Sequence, residues 1–168
     1  MIHSAAAPIA LFVYNRPEHM TRVVEALAGN EEAPTSRLFV YSDAPKNAVA
    51  KEKVAEVRSR ARAIKGFLSV ELVEQATNQG VARSIIQGVS DLSARFGKVI
   101  VLEDDLVPSR HFLRYMNGAL DLYQDAEEVI SIHGYSYPVN APLTETFFLR
   151  GADCWGWGTW KRGWELFE

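Results

Sequence analysis

Short, continuous apolar runs alternate along the chain with segments in which apolar residues recur every three or four positions. The apolar runs predict strands, and the continuous run at residues 9–14 predicts a strand that is buried on both faces; the periodic segments predict amphipathic helices. The predicted strands cover residues 9–14, 38–41, 68–73, 99–102, 129–132 and 147–149. The predicted helices cover residues 17–28, 48–65, 79–96 and 109–124.

The order of these elements, β-α-β-α-β-α-β-α-β, predicts an α/β fold of Rossmann-like type, with a mostly parallel sheet and helices on both faces. No internal repeat or linker interrupts it, so we expect a single domain over residues 1–168. Residues 151–168 are different, because they hold all four tryptophans and end without a stop signal. We therefore expect the domain to be incomplete at its C-terminus.

Composition excludes several classes of function. Lys and Arg number 18 against 21 Asp and Glu, which leaves a net charge of −3 and no basic stripe, so nucleic acid is a poor partner. Cys154 is the one cysteine, which excludes an internal disulfide and a cysteine-rich zinc site. Residues 1–8 do not form a signal peptide, and no apolar run is long enough to span a membrane. We expect a cytoplasmic protein.

Polar residues follow each of the first four predicted strands. They are Asn15 and Arg16 after the first, Asp43 after the second, Asn78 and Gly80 after the third, and Glu103, Asp104 and Asp105 after the fourth. In open α/β sheets, ligands bind beyond the carboxyl ends of the strands. These residues should therefore converge on one edge of the sheet, which is the predicted binding site.

The three adjacent acids are the sharpest of these signals. Their mutual repulsion would raise their pKa values unless a positive group binds among them. Mg²⁺ or Mn²⁺ meets this need, since such ions take one or two carboxylates and fill their other positions with phosphates and water. The alternative is a solvated acidic turn before a helix, whose first turn favours acids. The position directly after a Val-Ile-Val-Leu strand favours the metal.

The segment Val101-Leu102-Glu103-Asp104-Asp105 resembles the DXD-type motif of GT-A glycosyltransferases, in the Glu-Asp-Asp variant of the N-acetylglucosaminyltransferase I type. Asn15-Arg16-Pro17 resembles the opening of the same fold. Residues 78–84 are similar to the Asn-x-Gly-x-x-x-Ala/Ser segment of family 2-like transferases. The resemblance covers residues 8–115 and places the chain in the nucleotide-diphospho-sugar transferase superfamily.

The resemblance implies roles for the residues at the strand ends. Asp105 would bind the divalent metal, Mn²⁺ or Mg²⁺, that bridges the nucleotide diphosphate. The other implied nucleotide-sugar-binding residues are Glu103 and Asp104 near the ribose and sugar, Asp43 at the base, Arg16 and Arg83 at base, ribose or phosphate, and Asn15, Asn78 and Gly80. The alternatives are a surface charge for Arg83 and turn-forming side chains for the two asparagines.

The acceptor side is expected from about residue 134 onward. The resemblance places Trp155 and Trp157 there, where aromatic rings can stack on sugars, although the same rings can seal a core. Inverting members of the family use a carboxylate to deprotonate the acceptor hydroxyl. Asp153 is the candidate for that base within this chain, and a turn or cap residue is the alternative.

The hypothesis from sequence is a metal-dependent glycosyltransferase that moves a sugar from a nucleotide-diphosphate donor to the hydroxyl of a sugar or glycan acceptor. Two alternatives stay open: a non-catalytic nucleotide-sugar-binding domain and a metal-dependent sugar nucleotidyltransferase. Dinucleotide binding and P-loop chemistry are disfavoured, because neither glycine motif is present. An open sheet edge or exposed tryptophans would favour a homo-oligomer.

Overall fold

The fold was analysed in a computed structural model that describes residues 5–140 and 142–167. Its strands are β1 (Ile9–Val13), β2 (Arg37–Ser42), β3 (Ser69–Glu74), β4 (Lys98–Glu103), β5 (Ser131–His133) and β6 (Trp157–Trp160). Its α-helices are α1 (Pro17–Ala28), α2 (Ala48–Arg62), α3 (Val81–Phe96), α4 (Phe112–Leu122) and the short α5 (Lys161–Trp164). A 3₁₀ turn, Ala33–Thr35, precedes β2. None of these helices is long and apolar enough to cross a membrane.

The six strands form one sheet in the order β3-β2-β1-β4-β6-β5. The pairs among β1, β2, β3 and β4 are parallel, and β6 is antiparallel to both β4 and β5. The predicted α/β class with a mostly parallel sheet is confirmed. The strand order reverses between β1 and β4, because β2 and β3 lie on one side of β1 and β4 lies on the other.

The prediction of a strand at residues 147–149 is wrong. Phe148 and Leu149 are 70% and 79% exposed and pair with no neighbouring strand, so the short apolar run has no face to bury. The sixth strand is β6, which contains a glycine at its second position. A Cβ on Gly158 would lie 3.0 Å from Cε of Met116 and 3.1 Å from the carbonyl oxygen of Val99, so glycine permits close packing here.

The core lies on both faces of the sheet, as the alternation along β1 requires. Ile9, Leu11 and Val13 face the larger cluster, which contains side chains from α1, α2 and α4. Ala10 and Phe12 face the smaller cluster, which is covered by α3. Helices therefore flank the sheet on both sides, and the carboxyl ends of β1, β2 and β4 meet at one edge.

Candidate active site

The strand order reverses between β1 and β4, and open α/β sheets bind ligands in the crevice at such a reversal. Phe12 of β1 pairs with Glu103 of β4, so the two strands end side by side. Arg16 lies just beyond β1, and Asp104 and Asp105 lie just beyond β4. The local cause is that Pro17 starts α1 immediately after Arg16, which holds this arginine at the sheet edge.

The acidic cluster, as we name Glu103, Asp104 and Asp105 together, is bridged by one arginine. The Arg16 guanidinium forms a salt bridge with Asp104 and a second one with Asp105, in which Nη1 lies 2.9 Å from Oδ2. The Asp104 side chain is 2% exposed, whereas those of Asp105 and Arg16 are 45% and 43% exposed. The cluster thus has a buried member that fixes the arginine and an exposed member that faces solvent.

Among the described residues, the salt bridges of the acidic cluster are all to Arg16. Three carboxylates against the single Arg16 guanidinium leave a net charge of −2 when all are ionised. Burial raises the pKa of Glu103, and the negative charges of Asp105 and Asp104 raise it further. Burial also raises the pKa of Asp104, against the opposing effect of Arg16. A bound cation would relieve this repulsion.

The donor set fits a Mg²⁺ or Mn²⁺ ion that shares its coordination with a substrate. Among residues 5–140 and 142–167, no three His, Cys, Asp or Glu side chains are grouped so as to enclose a metal. Within the acidic cluster, Asp105 is the carboxylate that solvent reaches most readily. Such ions commonly bind one or two carboxylates, with phosphate oxygens and waters as the remaining ligands.

A second group of residues, the Asp43 loop cluster, holds the loop after β3 against the end of β2. It consists of Asp43 and residues 78–80. Oδ1 of Asp43 accepts from the backbone N–H groups of Ala44, at 2.8 Å, and Gln79, at 2.9 Å. Oδ2 accepts from Nδ2 of Asn78, at 3.0 Å, and from the backbone N–H of Gly80, at 2.9 Å. Each oxygen of this buried carboxylate thus has two donors from its own chain.

Gly80 turns this loop into α3. Its φ of +77° lies in the region that favours glycine, and it occupies the N-cap position of the helix. A Cβ there would meet nothing within 4 Å, so glycine is needed for its conformation and not for space. Arg83, in the first turn of α3, is exposed and has Nη1 3.4 Å from Oε1 of Gln79.

Tyr14 was not among the residues predicted at the site, but it connects Asp104 to the chain that follows β2. Its backbone N–H donates to Oδ2 of Asp104 at 3.4 Å, and its hydroxyl accepts from the backbone N–H of Lys46 at 2.9 Å. Asn15 follows it and is half-buried. The position of Tyr14 directly after a buried strand was the one available signal, but an apolar run that ends in tyrosine equally predicts a core residue.

The residues predicted on the acceptor side lie at the start of β6. Oδ1 of Asp153 accepts from the backbone N–H of Trp155 at 2.8 Å, and this bond is the main cause of a lowered pKa of Asp153. A lowered pKa makes this carboxylate a weaker base. Trp155 is 43% exposed, whereas Trp157 is half-buried and lies 5.9 Å from Trp164 between ring centroids.

Comparison with known proteins gives similarity in fold alone. No protein-family model matches the chain, and no curated protein matches it in sequence. One similar structure is the mannosyltransferase PcManGT from Pyrobaculum calidifontis in complex with GDP-Man and Mn²⁺, at 14% identity and a TM-score of 0.47 over 73% of this chain and 34% of that chain.

A second is glucosyl-3-phosphoglycerate synthase from Mycobacterium tuberculosis in complex with Mn²⁺, UDP and glucosyl-3-phosphoglycerate. It is 15% identical, with a TM-score of 0.49 over 74% of this chain and 42% of that chain. Both neighbours are GT-A-type glycosyltransferases. The chain spans less than half the length of either, and similarity at this level does not establish a substrate or an activity.

Proposed function

We propose that this chain is the nucleotide-sugar-binding domain of a metal-dependent glycosyltransferase, which transfers a sugar from a nucleotide-diphosphate donor to an acceptor hydroxyl. One observation carries the proposal: a cluster of three acids with a net charge of −2, bridged by one arginine, lies where the strand order reverses. At this position an α/β sheet binds ligands, and this charge suits a divalent cation with a phosphate-bearing substrate.

The donor would be held by groups that still have capacity to bind. Asp105 would hold the Mn²⁺ or Mg²⁺, which when bound offsets the charge that develops on the diphosphate. Arg16 is 43% exposed, and a planar guanidinium can turn from a carboxylate to a phosphate oxygen with bidentate geometry. Asp43, Asn78 and Gly80 would shape the wall of the site beside β2, because their contacts fix the loop that starts α3.

The transfer itself exchanges one bond at the anomeric carbon. The bond from that carbon to the diphosphate oxygen breaks, and its electron pair leaves with the nucleoside diphosphate. The acceptor oxygen forms the new bond and gives up its proton to a base. Asp153 is our candidate for this base within the chain, and it lies at the same edge of the sheet as the acidic cluster, since Trp157 pairs with Val101.

The proposal is tested by calorimetric titration with UDP-sugars and GDP-sugars, with Mn²⁺ and then with excess EDTA. We expect binding that requires Mn²⁺ and that weakens by about tenfold or more, about 1.4 kcal/mol, in Asp105→Asn. Asp125→Asn is the matched control, because Asp125 is an exposed acid in the turn after α4. Binding that is unchanged by EDTA, or equally weak in both variants, would refute the metal site.

Product analysis separates the two alternative functions from the proposed one. Release of nucleoside diphosphate in the presence of an acceptor indicates a glycosyltransferase. Pyrophosphate formed from a sugar phosphate and a nucleoside triphosphate indicates a nucleotidyltransferase instead. Metal-dependent binding of nucleotide sugar without either product indicates a non-catalytic binding domain.

A further inference from the structure

Three aromatic residues at the site edge of the sheet form an exposed cluster, which we name the aromatic platform: Tyr135, Tyr137 and Trp155. Every ring contacts the other two, with centroid distances of 5.1 Å, 4.9 Å and 5.6 Å. The exposed fractions are nevertheless 42%, 55% and 43%. Rings that pack on one another and still leave about half of their surface to solvent offer a rigid apolar surface of low entropy cost to a ligand.

Hydrogen bonds of Asp153 hold the backbone next to Trp155 in place. Asp153 accepts from the backbone N–H of Trp155 at 2.8 Å, and interaction with the Asp153 carboxylate raises the pKa of the Tyr137 hydroxyl. The backbone N–H of Asp153 in turn donates to Nδ1 of His133 at 3.2 Å, and Nε2 of that ring lies 2.8 Å from Oγ of Ser131. Because Nδ1 accepts, the proton of neutral His133 is on Nε2 and is donated to the serine.

Gly134, directly before Tyr135, and Gly156, directly after Trp155, determine the backbone path next to the aromatic platform. The backbone N–H of Gly134 donates to the carbonyl oxygen of Gly156 at 2.6 Å. A Cβ on Gly134 would lie 2.5 Å from Cε2 of Phe112 and 2.8 Å from that same carbonyl oxygen. Gly156 has a φ of +69°. The strand ends beneath the platform are therefore closed tightly against α4, and side chains larger than hydrogen do not fit at Gly134.

The aromatic platform lies beside the acidic cluster. β6 runs antiparallel to β4, and Trp157 pairs with Val101, so the same register brings Gly156 level with Leu102 and Trp155 level with Glu103, the last residue of β4. The Cβ position of Gly156 is 3.7 Å from Cδ2 of Leu102, the residue directly before Glu103. His133 pairs with Trp157 from the other side, which brings Tyr135 to the same edge.

We propose that the aromatic platform binds a pyranose ring of a neutral oligosaccharide acceptor, by stacking the ring's apolar C–H face on Trp155. This inference rests on the proposed function, because it makes the platform the acceptor subsite next to the donor site. A pyranose has both an apolar face and a rim of hydroxyls. The platform matches both, since the exposed rings adjoin the Asp153 carboxylate and two tyrosine hydroxyls, which are groups that can orient a polar rim.

The size of the aromatic platform favours a sugar over a protein partner. A large aromatic side chain buries 150–250 Å² when fully covered, so three half-exposed rings offer about 300 Å². A stable protein interface needs about 800 Å² on each partner. One or two sugar rings, by contrast, would cover the platform. Trp157 is not part of this surface, because it packs against the core beneath α3.

The test uses the whole chain and neutral hexasaccharides of glucose, mannose and N-acetylglucosamine as probes, with ¹H–¹⁵N spectra of the tryptophan indole groups. We expect at least one hexasaccharide to shift the Trp155 indole signal, which is assigned by its loss in Trp155→Phe. Trp155→Ala should weaken that binding by about tenfold or more. Phe148→Ala is the matched control, since Phe148 is an aromatic residue of the same connecting segment and is 70% exposed.

The outcomes separate this inference from the proposed function. Nucleotide binding that depends on Mn²⁺ and Asp105, with no hexasaccharide effect at Trp155, overturns the inference and leaves the proposed function standing. Hexasaccharide binding that is lost in Trp155→Ala, without any nucleotide binding, supports a sugar site and overturns the glycosyltransferase. Self-association that Trp155→Ala abolishes, with no shift on adding saccharide, would show a protein interface and overturn the inference.

Discussion

Replacing Asp43 by Asn exchanges one carboxylate oxygen for an NH₂ group and leaves the size of the side chain almost unchanged. In the protein, the carboxylate is 7% exposed and accepts four hydrogen bonds of 2.8–3.0 Å. Whichever oxygen is replaced by the NH₂ group, that group then lies opposite two N–H donors and can accept from neither. Rotating the side chain does not help, because both oxygens carry two donors.

The magnitude of this change follows from the hydrogen bonds that Asp43 loses. Hydrogen bonds to a charged group contribute about 1.5–3 kcal/mol each, and Asp43→Asn removes two of them. We therefore expect the free energy of unfolding to fall by about 3 kcal/mol, which corresponds to a decrease in Tm of about 6–12 °C for a domain of this size. Asp125→Asn makes the same chemical change at an exposed position and should stay within about 0.5 kcal/mol of the native chain.

Urea denaturation followed by tryptophan fluorescence measures this difference. A loss below about 1 kcal/mol in Asp43→Asn, similar to that of Asp125→Asn, would refute the structural role. It would support the prediction from sequence that Asp43 reads a nucleotide base, provided that the variant loses nucleotide affinity while it keeps its stability. For Asp43 to contact a base in the present geometry, the base would have to displace one of the four donors.

Two further predictions concern the packing of helix glycines and the charge of Arg16. Gly88→Ala should destabilise the fold by about 1 kcal/mol or more, because its Cβ would lie 2.8 Å from Cζ of Phe12. Gly118→Ala, whose Cβ would meet nothing within 4 Å, should instead stabilise the fold by about 1 kcal/mol through helix propensity. Equal effects of the two substitutions in urea denaturation would contradict this. Arg16→Ala should cost about 1–2 kcal/mol, because it leaves the buried Asp104 without a cation that is itself partly solvated, and adding Asp104→Asn should restore part of that loss. Additive losses in the double variant would count against the pairing.

The elements that the sequence predicted correctly are those with a continuous local signal. The strands β1, β2 and β4 are buried apolar runs, and α1 and α3 have their apolar residues on one stripe. β6 was missed because Gly158 interrupts it and its partners are antiparallel strands distant in sequence. The run at 147–149 has the composition of a strand, but only tertiary pairing decides whether such a run becomes one.

The contacts among strand-end residues could be expected because strand ends in a parallel sheet meet at one edge. Arg16 indeed contacts Asp104 and Asp105, and Asn78 and Gly80 contact Asp43. Their roles as ligands of a nucleotide sugar stay predictions. Partner choice within the edge was not predictable, since it depends on how the backbone of the loop after β3 folds back onto β2.

The sequence does not distinguish acids that are buried at the site edge from acids that are exposed to solvent there. Asp43 and Asp104 are 7% and 2% exposed and accept hydrogen bonds or pair with cations of their own chain. Within residues 5–140 and 142–167, Asp105 forms its salt bridge with Arg16, and each of these two side chains is more than two-fifths exposed. A ligand that separates this pair meets a carboxylate and a guanidinium together, which is the combination that a metal-bound diphosphate requires.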